Sequence, residues 1–380
     1  MRSDFLKILI VNGGMLDYGG ISAYIMNYYR KMDKKDIIID FIVQGDGKCL
    51  FVDEINNNGG KVFVIPNKSQ KLIAHIKKLN YIIKTGNYDI VHAHADAANG
   101  LILKIAKKNN IKVRISHCHS TNFFTKSKIK IFFNKVQKKM IFNNANYFWG
   151  CSDASCQWLY DDNNYEVINN AIDIEKFRFN NEKRKEYREL LNTKDSFCIC
   201  QIGHFNYIKN QMYTIKIITE LKKNYPTLDF KFYFIGSGLD SEINKLNKLI
   251  TPEIKENIIF LGRRNDVFNI LQAMDLLLMP SIFEGFPVSL VESQAAGIKA
   301  IVSKNITDSV SVIPGLIKFL KIDDSDLGEW VENILKSVNY KREDTREKLT
   351  EKGFNIEIEA KKLRDRYDKL IEVANDNKSL

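Results

Sequence analysis

Thirteen short apolar runs, bounded by turn residues and separated by stretches of helical length, constrain this chain more than any other feature. They are "KILIVNGG", "IDFIVQG", "KVFVIP", "YDIVHAH", "KVRISHCHS", "NYFWGCS" and "YEVINNAI", then "FCICQIGHF", "FKFYFIGSG", "IIFLG", "LLLMPS", "KAIVSK" and "IKFLK". A strand with one wet face alternates apolar and polar residues. These runs are continuously apolar, as expected of strands covered by helices on both faces. Strand–helix alternation therefore predicts a parallel α/β fold. At 380 residues the chain exceeds one comfortable core, so two domains are expected. The charged, strandless stretch "DIEKFRFNNEKRKEYRELLNTKDS" puts the junction near residue 180, giving domains 1–180 and 181–352. The tail 353–380 reads as an amphipathic helix, with Ile356, Ile358, Leu363, Tyr367, Leu370 and Ile371 at roughly helical spacing.

Composition narrows the setting. No apolar stretch reaches the ~18 residues of a membrane-spanning helix, and the opening "MRSDFLKILIVNGG" lacks a signal peptide's apolar region and cleavage site. A cytoplasmic protein is expected. The six cysteines, Cys49, Cys118, Cys151, Cys156, Cys198 and Cys200, lack CxxC spacing and read as reduced core residues. The net charge of +11 is uneven: residues 1–180 hold 26 Lys and Arg against 16 Asp and Glu, whereas residues 181–380 hold 31 against 30. Within the basic half, "FFTKSKIKIFFNKVQKKMIF" carries six lysines, five aromatic residues and no acid. Such a stretch suits a solvated helix face or an anionic membrane surface. The chain has no stacking motif or basic recognition element, so nucleic acid is not expected as a partner.

In open parallel sheets, ligands bind beyond the carboxyl ends of the strands. After the first run, Tyr18, Gly19 and Gly20 precede a helix whose first turn offers free N–H groups to an anion or hydroxyl; the spacing is not GxGxxG, which disfavours a dinucleotide. His92, His94, His117 and His119 end two runs. They read as polar groups lining a cleft rather than as zinc ligands, because neither a third ligand nor an outer shell is visible. His204, Asn206 and Lys209 follow "QIG", and a lysine there reaches a phosphate as a point charge. Asp323, Asp324 and Asp326 precede a helix and read as caps.

The stretch "PSIFEGFPVSLVESQAAG" is the most informative. Pro287 suits the first helical position, and Gly297 stops the helix. The N–H groups of Val288, Ser289 and Leu290 would then point at an anion, aided by the helix dipole. Glu292, one turn in, could hold a vicinal diol such as ribose, while Glu284 stands before the turn.

With these residues in place, the sequence resembles the retaining glycosyltransferases of the family-four type, over essentially the whole chain. The strongest match is E-x7-E, Glu284 to Glu292, joined by Gly19-Gly20, "HCHST", "VINNAIDIEKF" and "FLG" before Arg263 and Arg264. The resemblance implies a GT-B fold: two facing Rossmann-like domains with parallel sheets and a C-terminal helix crossing back to the first. It implies that Glu284 sits by the donor hexose and leaving phosphate, and that Glu292 holds the ribose. Backbone at Gly285, Phe286 and Pro287 would approach the sugar, and Lys209 would neutralise the diphosphate. His119 would contact the transferred sugar, Gly20 the phosphates or acceptor, and Arg263 with Arg264 the base. Tyr18, Gly19, His94 and His117 fall on the acceptor side. Two positions depart from the family pattern: His204 replaces a usual arginine, leaving one diphosphate cation conditional on protonation, and Ala171 replaces a common glycine.

The expected activity is transfer of a hexose, with retention, from a nucleotide diphosphate sugar, most simply UDP-linked, to a glycan acceptor carried on a lipid, in surface polysaccharide assembly. No metal or other cofactor is expected. The first domain would carry the acceptor, and its basicity would draw it to an anionic membrane surface, making the protein cytoplasmic and peripheral. The alternative is a nucleotide-sugar epimerase of the same two-domain plan.

Overall fold

A computed structural model describes residues 5–45, 49–123, 125 and 127–376. Phe124 and Lys126 of the basic stretch, residues 377–380 of the predicted tail and residues 1–4 lie outside the described residues.

Each apolar run forms a strand: β1 (Leu6–Asn12), β2 (Ile37–Gln44), β3 (Val62–Ile65), β4 (Ile90–His94), β5 (Val113–Cys118), β6 (Tyr147–Gly150), β7 (Glu166–Val167), β8 (Phe197–Ile202), β9 (Phe230–Ile235), β10 (Ile258–Gly262), β11 (Leu276–Met279), β12 (Lys299–Ser303) and β13 (Ile317–Leu320). The first seven form one sheet in the order β3-β2-β1-β4-β5-β6-β7, and the last six a second in the order β10-β9-β8-β11-β12-β13. The recorded pairings are parallel. Both are doubly wound Rossmann-like sheets. The chain divides into two compact units, Met1–Ala171 with Ile356–Leu380, and Ile172–Asn355. The first boundary precedes the charged stretch 173–196, because Ile172 already pairs with Asn355.

The runs are apolar throughout because consecutive residues feed different cores. In β1, Ile8 and Ile10 pack with Tyr24, Ile25, Ile39 and Phe41 on one face of the sheet. Leu9 and Val11 pack on the other with Leu79, Ile83, Val91 and Leu103. The second sheet carries Phe230, Phe232, Phe234, Leu276 and Leu278 into a core with Ile217, Ile218 and Trp330. All six cysteines are buried free thiols.

The last helix, Ile356–Asp376, belongs to the first unit and packs on the helix Gly20–Lys31. It buries Ile356, Ala360, Leu363 and Tyr367, a 4-3-4 spacing that makes one stripe. Burying side chains of this size stabilises by about 1.5–3 kcal/mol each for the large ones. Ile358, expected on that stripe, is 41% exposed, because two residues from Ile356 turns a helix to its far side.

Candidate active site

In the second unit the strand order reverses between β8 and β11, so the loops leaving these two strands start side by side and diverge. Two hydrogen bonds stitch them together. Ile282 N–H donates to the Ile208 carbonyl at 2.8 Å, and Asn210 Nδ2 donates to the Pro280 carbonyl at 3.1 Å. Within the first loop, Lys209 N–H donates to Asn206 Oδ1 at 2.9 Å, and the Lys209 carbonyl accepts from Gln201 Nε2 at 2.7 Å. Gly203 has φ +148°, and a Cβ there would lie 2.9 Å from Lys209 Cε. Glycine thus lets the lysine stem lie across the strand end. The result brings together two residues 75 positions apart: Lys209 Nζ stands 2.7 Å from Glu284 Oε1, their side chains only 18% and 14% exposed.

The second loop runs into the helix Val288–Ala295. Pro287, expected as its first residue, is instead the cap before it, with φ −70° and ψ 114°. Proline's fixed φ suits either place, and its extended ψ makes the turn into the helix. Leu290 was expected to present a free N–H; it donates to the Pro287 carbonyl at 3.1 Å, which tightens the first turn. Val288 and Ser289 remain as the first-turn donors. Gly285 is buried, and the Phe286 ring is buried and stacks on Phe354 at 5.8 Å, so only backbone at these positions is placed to meet a ligand. Gly297, at φ +65°, closes the helix; its N–H donates to the Gln294 carbonyl and that of Ile298 to the Ser293 carbonyl. Glu292 projects from the helix into surroundings that strip its water and raise its pKa to about 7, with nearby Lys176 acting in the other direction.

The remaining predicted donor residues are less committed. His204 is exposed, its carbonyl accepting from Gln211 Nε2 at 3.1 Å. Arg263 donates to Ser237 Oγ at 3.2 Å, at the end of the neighbouring β9. Arg264 is held in a two-point pair by Asp266 at 2.8 and 2.6 Å. Of the three aspartates expected as caps, Asp323 accepts from Ser325 N–H, whereas Asp324 pairs with Lys216 at 2.7 Å and Asp326 precedes its helix without a side-chain cap.

In the first unit the switch point lies between β1 and β4. The helix after β1 begins at Gly20, with Gly19 its cap; Gly19 N–H donates to Asp17 Oδ1 at 2.7 Å. Tyr18 is 54% exposed, and a Cβ on Gly20 would meet nothing within 4 Å. At the ends of β4 and β5 the four histidines form one buried group. His94 Nδ1 lies 2.8 Å from His119 Nε2, and His92 Nε2 lies 3.1 Å from His117 Nδ1. Burial holds all four pKa values below the ordinary imidazole value, that of His119 at about 3, so the rings are neutral. Asp96, which no motif marks, holds His119 in place. Its Oδ1 accepts from His119 N–H and its Oδ2 from Ser120 Oγ, both at 2.7 Å. Burial raises its pKa, while those hydrogen bonds and Lys68 act against the rise. Its φ of +49° is a left-handed conformation that nothing in "HAHADAANG" announces beyond an acid after the strand.

Two doubly wound parallel sheets, each with polar side chains gathered beyond its strand ends, match the plan of the GT-B fold. A family model described as "Glycosyl transferases group 1" matches residues 196–339, and one described as "Glycosyltransferase Family 4" matches residues 18–176. The chain belongs to the family-four glycosyltransferases. It is 28% identical to the "Putative glycosyltransferase EpsF" of Bacillus subtilis, over 94% of this chain and 95% of the relative. It is 25% identical, over 97% and 98%, to the "UDP-Gal:alpha-D-GlcNAc-diphosphoundecaprenol alpha-1,3-galactosyltransferase" of Escherichia coli. Among solved structures, Anabaena Alr3699/HepE in complex with UDP-glucose shares the fold, with a TM-score of 0.72 at 16% identity over 98% of this chain and 99% of that one.

Proposed function

We propose that this glycosyltransferase moves a hexose from a UDP-linked donor to a hydroxyl of a lipid-linked glycan, with retention at the anomeric carbon and without a metal in the chemistry. The observation that carries the proposal is the half-buried Lys209–Glu284 pair at the strand-order reversal of the second unit, next to a helix N-terminus. Negative charge grows on the leaving diphosphate during transfer. A pre-placed ammonium and the N–H groups of Val288 and Ser289 meet that charge with little reorganisation. In the absence of donor, Glu284 holds the ammonium in position. When the donor enters, its diphosphate shares Lys209, and Glu284 is left beside the hexose, where it positions hydroxyls and stabilises developing positive charge. Glu292 accepts the ribose hydroxyls. His119, aligned by Asp96, is assigned to the transferred sugar, and Gly20 to the phosphates or acceptor. The UDP named for the Escherichia coli relative's donor and the Anabaena complex supports the choice of base. The relative's diphosphoundecaprenol acceptor supports a lipid carrier.

The first unit presents a surface suited to such an acceptor's setting. The helix Lys128–Asn144 contains Lys128, Lys130, Lys135, Lys138 and Lys139 and no acid, and it leaves Ile129, Phe132, Phe133 and Val136 between 42% and 70% exposed. Basic heads beside apolar side chains favour an anionic membrane surface. Among the described residues no helix is long and apolar enough to cross a membrane, so attachment is at the interface.

The test is a panel of nucleotide-sugars scored by thermal shift, followed by turnover with the best donor and an undecaprenyl-diphosphate-linked glycan. Stabilisation by a UDP-sugar, acceptor-dependent release of UDP and turnover without added Mg²⁺ or Mn²⁺ are expected. Conversion of the donor without acceptor would identify an epimerase instead, and turnover that appears only when Mg²⁺ or Mn²⁺ is added would overturn the metal-free scheme.

A further inference from the structure

The histidine group at the ends of β4 and β5 does more than the transfer reaction asks of it. Strand alternation puts His92 and His94 on one face of β4. The β4–β5 register, which pairs Ala93 with Ser116, brings His117 alongside them. Each of the three offers a ring nitrogen within 4.8 Å of the others, and their exposures are 1%, 1% and 0%. The 3.1 Å separation of His92 Nε2 and His117 Nδ1 is close to the ~3.3 Å between nitrogens on a tetrahedral ion with bonds of about 2.0–2.1 Å. No partner sits on His117 Nε2 or the Tyr24 hydroxyl, although both are buried. These two orphans lie off the ligand nitrogens, since His117 would bind through the Nδ1 that faces His92. The outer shell that a metal-bound imidazole needs is present: the Tyr367 hydroxyl lies 2.7 Å from His92 Nδ1, and His119 Nε2 lies 2.8 Å from His94 Nδ1. A cavity of about 20 Å³ borders His92 and His94 on the side of Tyr24 and Tyr367.

We propose that His92, His94 and His117 bind one late first-row divalent cation of the zinc class, fixing the ends of β4 and β5. All-imidazole donors without a carboxylate favour Zn²⁺, Co²⁺, Ni²⁺ or Cu²⁺ over Mg²⁺ or Ca²⁺. The site uses none of the groups assigned to the diphosphate, although His94 touches His119, and its test does not depend on turnover.

The full-length chain, stripped with chelator and dialysed, is titrated with Co²⁺ and followed by visible d–d absorption and thermal shift. Wild type should take up one equivalent with tetrahedral or five-coordinate bands and a rise in melting temperature, and Zn²⁺ should displace it. His92→Gln and His117→Gln should lose the bands. His75→Gln, a buried histidine outside the group, should keep them. Tyr367→Phe, a milder change that leaves the ligands and most of the packing, should weaken binding about 10–100-fold. No stoichiometric uptake by wild type, or equal uptake by His92→Gln and His117→Gln judged folded by circular dichroism, would overturn the proposal. A Tyr367→Phe variant that binds as wild type does would overturn the outer-shell assignment.

Discussion

Glu292→Gln separates what a buried carboxylate costs the fold from what it does for a ligand. The surroundings raise the Glu292 pKa from an ordinary 4.5 to about 7. A full shift of that size corresponds to about 3 kcal/mol at 1.36 kcal/mol per unit, and partial exposure reduces it to about 1–3 kcal/mol. The folded-state pKa lies above the unfolded one, so the penalty is absent below about pH 4.5, grows as the pH rises and is complete above about pH 7. The glutamine variant should therefore match wild type at pH 4.5 and exceed it at pH 8. For a unit of this size 1 kcal/mol moves Tm by roughly 2–4 °C, so a gain of about 2–12 °C at pH 8 is expected from calorimetry across a pH series. UDP affinity should move the opposite way. Loss of charge-assisted hydrogen bonds of about 1.5–3 kcal/mol weakens binding about 10–100-fold, and wild-type affinity should itself strengthen from pH 6 to pH 8 as the carboxylate ionises. A Tm difference that does not change with pH would refute the burial argument. Unchanged UDP affinity in the variant would refute the ribose assignment.

Other substitutions test neighbouring links. Lys209→Ala removes an ion partner of the half-buried Glu284 and should cost about 1–3 kcal/mol; the double variant with Glu284→Ala should recover part of that loss in a double-mutant cycle on urea denaturation. Turnover should fall at least about 100-fold in Lys209→Ala, Glu284→Ala and His119→Ala, measured as UDP release. Gly297→Ala places a Cβ 2.8 Å from the Glu343 carbonyl at φ +65° and should destabilise by about 1–2 kcal/mol without changing UDP affinity. Sedimentation with liposomes should strengthen with anionic lipid and weaken with salt. Phe132→Ser with Phe133→Ser should lose most of the binding.

The strands were legible because a parallel strand covered on both faces must be apolar at every position, and no other common element gives that pattern at such short length. The helix 288–295 was legible from Pro287 and Gly297, which act through fixed or left-handed φ. What sequence could not supply was pairing across distance. Lys209 and Glu284 each read as strand-end residues, but their ion pair depends on β8 and β11 being neighbours and on the two stitches at Ile208 and Asn210. The third histidine was hidden for the same reason, since it takes the β4–β5 register to bring His117 to His92 and His94. Asp96 and the captured N–H of Leu290 depend on local backbone angles that several sequences would satisfy. Ile358 was misplaced because apolar character was counted without its angle around the helix.

Donor-driven hexose transfer with retention is tested by NMR of the anomeric region during a single reaction. With an α-configured UDP-hexose and an undecaprenyl-diphosphate-linked glycan, the donor's anomeric signal should decay only when acceptor is present, and a new α-linked signal should grow in step. A β-linked product, or donor consumed at the same rate without acceptor, would contradict it.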